Sequence, residues 1–473
     1  MQPINRLPPE TLSYIIRYIP KKSAKDASSI IPMTHVCRYW RESIISTPEN
    51  WTRISSQRIG LAKLSLERCK AAPIELWLNL LRGEITPEFS QLIKSHIQNA
   101  KVLAVGHDLT KDEFVRSIPN LLMSTPNLRS LSLFGGRVGA ALWDWFDDPC
   151  SQLISPLEHL CLVIIPLYPS FLRLKTLTDF TLHHPQFNLH LDTLLDFLEE
   201  NHSLEHALLD IEFTQPSLRD SRRRLPIKSR LRRLSISSSC AVDIEALLSK
   251  IAVRKGASLE INLWGHAGTK FVCSAISTAH VSNLRSPTFM EYCPNEGGVR
   301  TIRLLGPDGS FSLKRKVGIE APFYELPIRP RDDIRTVHLI HSAPASGPLR
   351  SIPIEFHPSS FPVLETLAIE RERAVSYFLS ALFSNPSTFP SLKTLAFLDC
   401  KLDGGFMEEL TRFSSNRRCT SSAWLHRIVI VNSTGKLPPF ALIDELGKHV
   451  PVVDVRVGKE LPSDVKWNDL GGC

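Results

Sequence analysis

Leucine, or another large apolar residue, recurs along most of this chain in the spacing Leu-x-x-Leu-x-Leu. Clear copies are Leu61/Leu64/Leu66, Leu128/Leu131/Leu133, Leu157/Leu160/Leu162, Leu177/Phe180/Leu182 and Leu231/Leu234/Ile236. Later ones are Val299/Ile302/Leu304, Ile334/Val337/Leu339, Leu364/Leu367/Ile369, Leu392/Leu395/Phe397 and Leu425/Ile428/Ile430. Fainter copies begin at Ile97, Leu204 and Gly256. From Leu128 onward neighbouring copies start 20 to 43 residues apart. The Leu-x-Leu half of the pattern sends two side chains to one face of a short strand and the intervening one to the other. A lone strand of this kind cannot bury its apolar face, so the copies must stack, strands beside strands and return helices beside helices.

Return helices are legible between copies. Leu191, Leu194, Leu195 and Leu198 have helical period after His190, and Ile244, Leu247, Leu248 and Ile251 follow Asp243. A third run, Tyr377 to Phe383, precedes the Asn385-Pro386 break. The expected fold class is α/β. A small helical module over 1–55 leads into an irregular solenoid over 56–457, with parallel strands on the concave side and helices on the convex side. Residues 458–473 are expected to form a loose tail. A doubly wound sheet would instead need fewer, longer strands and a phosphate loop.

Residues 265–330 break the rhythm with glycines and prolines, as a substrate-shaped insertion or as degenerate repeats. Within them Gly306-Pro307-Asp308-Gly309, between Ile302-Leu304 and Phe311-Leu313, is expected to turn a hairpin. Pro344 to Pro358 is a further loop-rich stretch.

The opening residues have a different period. Pro8 and Pro9 suit a first helical turn, where a missing N–H costs nothing, and Glu10 suits the positive end of the helix dipole. Leu12, Ile15, Ile16 and Ile19 form one apolar stripe, ended by Pro20. Met33, Val36, Cys37, Trp40 and Ile44 form a second, with Arg38, Arg41 and Glu42 off that face. So small a module cannot bury a self-sufficient core and must lean on its own chain, a partner, or both. Periodicity alone fits a capping helix hairpin on a repeat array equally well.

Residue identities add to this. Leu7-Pro8-Pro9-Glu10, Val36-Cys37-Arg38-Tyr39-Trp40-Arg41 and Pro48-Glu49-Asn50-Trp51 resemble, in order and spacing, the motifs of an F-box. The ending Ser46-Thr47-Pro48-x-x-Trp51 is most similar to fungal members, where the module precedes degenerate leucine-rich repeats. Lys25 to Ile31 departs from the family's usual Asp-Leu-Leu stretch, so the middle helix is the least secure part of the match. The resemblance implies a Skp-type adaptor bound through Leu7, Pro8, Leu12, Ile15, Ile16, Ile19, Val36, Cys37, Trp40, Pro48 and Trp51. Through that adaptor the chain would join a cullin–RING ubiquitin ligase. Residues 1–55 carry eight Lys/Arg against four Asp/Glu, which favours the acidic adaptor surface expected of the family.

A second resemblance, to intracellular leucine-rich repeats with a cysteine at the turn, rests on Leu392 through Cys400 to Leu402 and on Leu61 through Cys69. By pattern position Ser130, Ser132, Phe134, His159, Asp179, Thr181, His183, His206, Asp210, Arg233, Ser235, Arg303, His338 and Glu370 face the concave side. They are the candidate contacts to an unknown protein target. Each is equally readable as an ordinary outward strand residue.

Composition narrows the setting. The formal net charge of +8 comes from 56 Lys/Arg against 48 Asp/Glu, and Arg219–Arg233 alone holds eight bases and one acid. That run fits a solvated loop leading into a strand, with an acidic partner as the sharper option. No aromatic residue interleaves it, which disfavours nucleic-acid stacking. The ten cysteines show no C-x-x-C pairing, so reduced thiols in the cytosol or nucleus are expected. No apolar run reaches the length of a membrane span, and the opening residues lack a secretory pattern.

No phosphate-binding, dinucleotide, zinc-protease or nucleophile-elbow motif is present in the sequence. His183-His184, His190 and Asp192 read as a loop entering a helix rather than a metal site. No cofactor and no catalysis are expected. Three functions compete: substrate receptor of an SCF-type ubiquitin ligase, F-box scaffold without ubiquitin transfer, and repeat-type regulator of a small GTPase.

Overall fold

A computed structural model describes residues 7–18, 27–79, 87–106, 125–135, 156–165, 167, 174–183, 189–213, 227–228, 230–254, 256–263, 289–295, 299–306, 309–316, 334–340, 362–370, 389–400, 404–420, 424–432 and 438–457. The chain divides into two compact units, Met1–Ser221 and Arg222–Cys473. The expected helix at Tyr377 to Phe383, the stretch Pro344 to Pro358 and the tail 458–473 lie outside the described residues, as do Ile19 and Arg222 to Arg224.

The first unit opens with α1 (Pro9–Tyr18), followed by 3-10 turns at Ala27–Ser29 and Pro32–His35, then α2 (Arg38–Ser46) and a 3-10 turn at Pro48–Trp51. The stripe from Met33 to Ile44 therefore does not run along one helix. Pro32 starts its own short turn, and Cys37 is extended, with φ −161 and ψ 173, before α2 begins.

Then come β1 (Arg53–Ser55), α3 (Ile59–Cys69), β2 (Ile74–Asn79), α4 (Pro87–Lys94), β3 (Ala100–Gly106), β4 (Ser130–Phe134), β5 (His159–Val163), β6 (Asp179–His183), α5 (Leu191–Glu200) and β7 (His206–Asp210). Strands β1 to β7 pair in chain order, and every pair is parallel.

The second unit holds β8 (Ile227–Lys228), β9 (Arg233–Ser238), α6 (Ala241–Leu248), β10 (Ile251–Ala252), β11 (Ser258–Leu263), β12 (Phe289–Asn295), β13 (Val299–Gly306) and β14 (Gly309–Lys316). It continues with β15 (Thr336–Ile340), β16 (Thr366–Glu370), β17 (Thr394–Leu398), α7 (Gly404–Thr420), β18 (Arg427–Asn432), α8 (Phe440–Gly447) and β19 (Val452–Val457). Its ladder runs β9-β11-β14-β13-β12-β15-β16-β17-β18-β19. All neighbours are parallel except β13, which is antiparallel to β12 and β14. Strands β8 and β10 form a separate parallel pair.

A repeated set of interactions builds both ladders. The first residue of each Leu-x-x-Leu-x-Leu copy is buried in the turn before its strand: Leu128, Leu157, Leu177, Leu364 and Leu392 are all 0% exposed. The next residue's carbonyl then accepts two successive N–H groups of the following repeat. Arg129 accepts Glu158 and His159, Glu158 accepts Thr178 and Asp179, and Glu365 accepts Lys393 and Thr394, at 2.8–3.0 Å. Backbone groups at the bend are thereby satisfied within the chain. After β5 and β17 the chain turns through Ile164 and Asp399, both at positive φ, and their N–H groups reach the end of the next strand at 2.8 Å.

Three expectations need correction. Leu61/Leu64/Leu66 is no strand: α3 buries Ala62, Ser65, Leu66 and Cys69, which is the i, i+3, i+4, i+7 stripe of a helix. The repeat's strand is β2, further along. Val299/Ile302/Leu304 forms a strand, but as the reversed middle of a β12–β13–β14 meander, with Gly306 opposite Gly309 at the expected hairpin turn. Ile251 belongs to β10, because α6 ends at Leu248.

Candidate functional site

Two surfaces of the first unit are candidates, the opening module and the outward face of the β4–β7 ladder. In the module, Pro9 and Glu10 start α1 as their chemistry dictates, and α1 then divides its apolar residues. Leu12 and Ile16, four apart, are both 0% exposed and face the chain's own core. Ile15 is 39% exposed and Tyr14 60% exposed, so they lie on the open side. Val36 at 60% and Ile45 at 37% are also left open around α2. Pro8 is exposed, while Leu7, Cys37, Trp40 and Pro48 are half-buried. The Tyr39 hydroxyl donates to the Leu7 carbonyl and fixes the chain's entry to α1.

Trp51 is core, not surface, at 1% exposure. Its indole Nε1 donates to the Ile44 carbonyl at 3.0 Å, and the Arg68 guanidinium of α3 lies 4.3 Å from the ring centroid. Beside it β1 pairs with β2, and Arg53 Nε meets Glu75 Oε2 at 3.0 Å. The module is thus continuous with the first repeat. Leu12, Ile16 and Trp51, expected as docking contacts, are corrected to internal packing. Tyr14 and Ile45, exposed on this module, are not among the docking contacts that the resemblance implies. The missed signal was the i, i+4 pair Leu12/Ile16, which the chain's own core needs and which turns the neighbouring residues outward.

On β4–β7 alternation puts Leu131, Leu133, Leu160, Leu162, Phe180 and Leu182 inside. Outside, register aligns Ser130, His159, Asp179 and His206 in one row, and Ser132, Cys161, Thr181 and Leu208 in the next. Phe134, Val163 and His183 make a third. In the first row Asp179 lies between two imidazoles: His159 Nδ1 is 2.9 Å from Oδ2, and His206 Nδ1 is 2.8 Å from Oδ1. The Thr178 hydroxyl donates to Oδ2 at 2.7 Å. Partial burial works to raise the Asp179 carboxyl, but this hydroxyl and the two imidazoles outweigh it and hold it below the usual carboxylate range. His183 Nδ1 is 3.8 Å from Asp210 Oδ2.

Several expected contacts are not open. Asp210 is buried, at 8% exposure, and so is His338, at 5%. His338 Nε2 lies 3.3 Å from Glu370 Oε2, so these two face each other rather than a partner. Ser235 is buried as well. Arg233 remains exposed and approaches Glu260 at 3.6 Å. Arg303 stands on the reversed strand β13, opposite Glu291 and Ser312.

The second unit differs in kind. Ala368, Ala396, Leu398, Val429 and Val431 occupy its outward rows, yet they form a second buried apolar cluster. Strands β16–β18 are therefore buried on both faces, as strands in a covered parallel sheet are.

Among the described residues no three His, Cys, Asp or Glu side chains are placed to hold a metal ion. No described helix is long and apolar enough to cross a membrane.

Residues 4–57 match the model of the F-box-like family. No curated protein matches the chain. Among solved structures the chain is similar to the leucine-rich repeat-containing protein LegL7 from Legionella pneumophila. That match has 13% identity and a TM-score of 0.23, and covers 77% of this chain and 87% of that one. At that TM-score the likeness carries no weight; the repeat fold rests on the strand ladders themselves. An F-box-like segment ahead of a parallel-strand solenoid is a protein-interaction arrangement, and no enzymatic family is indicated.

Proposed function

We propose that this chain is the substrate-recognition subunit of an SCF-type ubiquitin ligase, working from the premise that its opening segment is F-box-like. F-box domains generally bind Skp-type adaptors. The observation that supports this role here is the exposure of Tyr14, Ile15, Val36 and Ile45 on a module whose Leu12, Ile16, Ile44 and Trp51 serve its own core. Large aliphatic and aromatic groups left open on one small module are the anchors a protein interface uses. The adaptor would bring a cullin–RING ligase, and the ladder of the first unit would hold the target. The chain would act by proximity: tethering raises the effective concentration of target lysines near a charged ubiquitin-conjugating enzyme. The Ser46-Thr47-Pro48 ending supports a fungal type of module, and the cysteine usage supports a cytosolic or nuclear setting.

Affinity purification of the full chain beside the Ile15→Asp/Val36→Asp variant tests this reading. Both positions are exposed, so the variant should fold with an unchanged melting temperature. The wild type should carry a Skp-type adaptor and cullin, and the variant should lose both. Recovery of neither partner by the wild type, or of both by the variant, would refute the proposal.

A further inference from the structure

The chain is basic overall, but residues 156–213 are not. They contain nine Asp/Glu, against Arg173 and Lys175 alone, for a formal charge of −7. Six of the sixteen histidines fall in the same block. Strands β4–β7 carry no Lys or Arg at all. Asp192, Asp196, Glu199 and Glu200 of that block stand on α5, and the strands themselves contribute Asp179, Asp210, His159, His183 and His206, so the outward face carries acids and imidazoles without a fixed positive charge on its strands.

The hydrogen bonding decides what that face offers. Each of His159 and His206 turns Nδ1 to the charged Asp179 carboxylate, which assigns the ring proton to Nδ1. In the neutral form of either ring Nε2 is then the acceptor. The side chains of these histidines are 51% and 48% exposed. Between the flanking rows the middle row is small and half-buried at Ser132, Cys161 and Thr181, and Phe134 stands exposed at the far row. The face is rich in acceptors, negative, shallow along its centre, and has one aromatic anchor. Phosphate-bearing and acidic partners are repelled by it, whereas Lys and Arg side chains find acceptors, opposite charge and a ring face.

We propose that the outward face of β4–β7 docks an extended Lys/Arg-bearing segment of a target protein, centred on the His159–Asp179–His206 bridge. The inference deepens the receptor reading by naming the chemistry of the target. It depends on that reading only for the word target.

The test uses the full chain and two fluorescein-labelled peptides of equal length, one alternating Lys and Ser, the other Glu and Ser. Anisotropy should show binding of the basic peptide only, weakening as ionic strength rises. The other charged groups at the face are Glu158, Glu205 and Asp210, with Arg129 held at 3.0 Å by Glu158. Asp179→Asn should weaken binding about fivefold, the effect of losing one partly screened charge. The rim variant Glu158→Gln/Glu205→Gln should weaken it too, and spares the bridge should Asp179→Asn misfold. Equal binding of both peptides, or no binding, overturns the proposal. Binding that emerges only after Arg222, Arg223 and Arg224 become serine also overturns it, because the chain's own basic run would then be the occupant. The Ile15→Asp/Val36→Asp variant should bind the peptide normally, so failure of the adaptor reading and failure of this one are told apart.

Discussion

Lys70 ends α3 in a conformation, φ 53 and ψ −120, that side chains rarely adopt. Ala72 N–H reaches the Cys69 carbonyl at 2.9 Å, so the bend is a type II′ turn with lysine where glycine belongs. Lys70 is exposed and its side chain contributes little packing. Lys70→Gly should therefore stabilise the chain by about 1 kcal/mol, the relief of backbone strain less the flexibility of glycine; thermal unfolding of the two proteins would show it. Arg417 is the opposite case. It is fully buried on α7, and its guanidinium donates to the carbonyls of Phe389 at 2.6 Å and Leu392 at 3.2 Å. Burial lowers its pKa to about 10, which leaves it charged at neutral pH. Arg417→Ala would take a donor from both carbonyls, of which Phe389 keeps the Leu392 N–H at 3.0 Å, and would open a large cavity, so denaturant titration should register a loss of about 3 kcal/mol. Arg417→Lys should recover part of it.

The elements were legible wherever residue spacing alone decides them. Leu-x-x-Leu-x-Leu marks β4, β5, β6, β9 and β15–β18, because two inward residues on a short strand leave few alternatives. It misled at Leu61, where Leu66 instead belongs to a helical stripe once Ala62, Ser65 and Cys69 are counted as core. Small residues are silent in a leucine pattern. The β12–β14 meander was only half visible: its turn is local chemistry, but its reversed direction depends on pairings between distant residues. The His159–Asp179–His206 bridge was named residue by residue, yet its contacts arise from register across three repeats, which no single repeat encodes. At β19 the stabilising chemistry is electrostatic. Asp454 accepts from Nε and one Nη of Arg456, at 2.8 and 3.0 Å, and from Arg427 of β18 at 2.9 Å. The Arg456 hydrogen bonds, joined by Arg427, hold this carboxyl below its ordinary value against the opposing effect of burial. A depressed carboxyl stabilises the fold above the unfolded-state pKa and loses that contribution as pH falls through the lower folded value. Asp454→Asn should therefore flatten the acid limb of stability below about pH 4 and remove stability at neutral pH.

At the level of the whole molecule the two units put their ladders to different uses. Outward positions of the first are polar and only half-buried at Ser130, Ser132 and Thr181, whereas those of the second are closed at Ala368, Ala396 and Val429. Equivalent substitutions should then have unequal effects. Ala396→Leu would overpack a closed layer and cost about 1–3 kcal/mol, while Ser132→Leu should stay within about 0.5 kcal/mol of the parent. Melting curves of the paired variants would decide it. Equal costs would mean that the closed layer is not packed as described.

The tryptophan that terminates the opening helices is gripped by an arginine from the first repeat, and the backbone beside it is already a strand of the sheet. The opening helices are consequently mounted on the first strands of their own unit like a bracket bolted to a beam. Their angle to anything lying on the neighbouring strands is set when the chain folds, and no tether of adjustable length stands between the two.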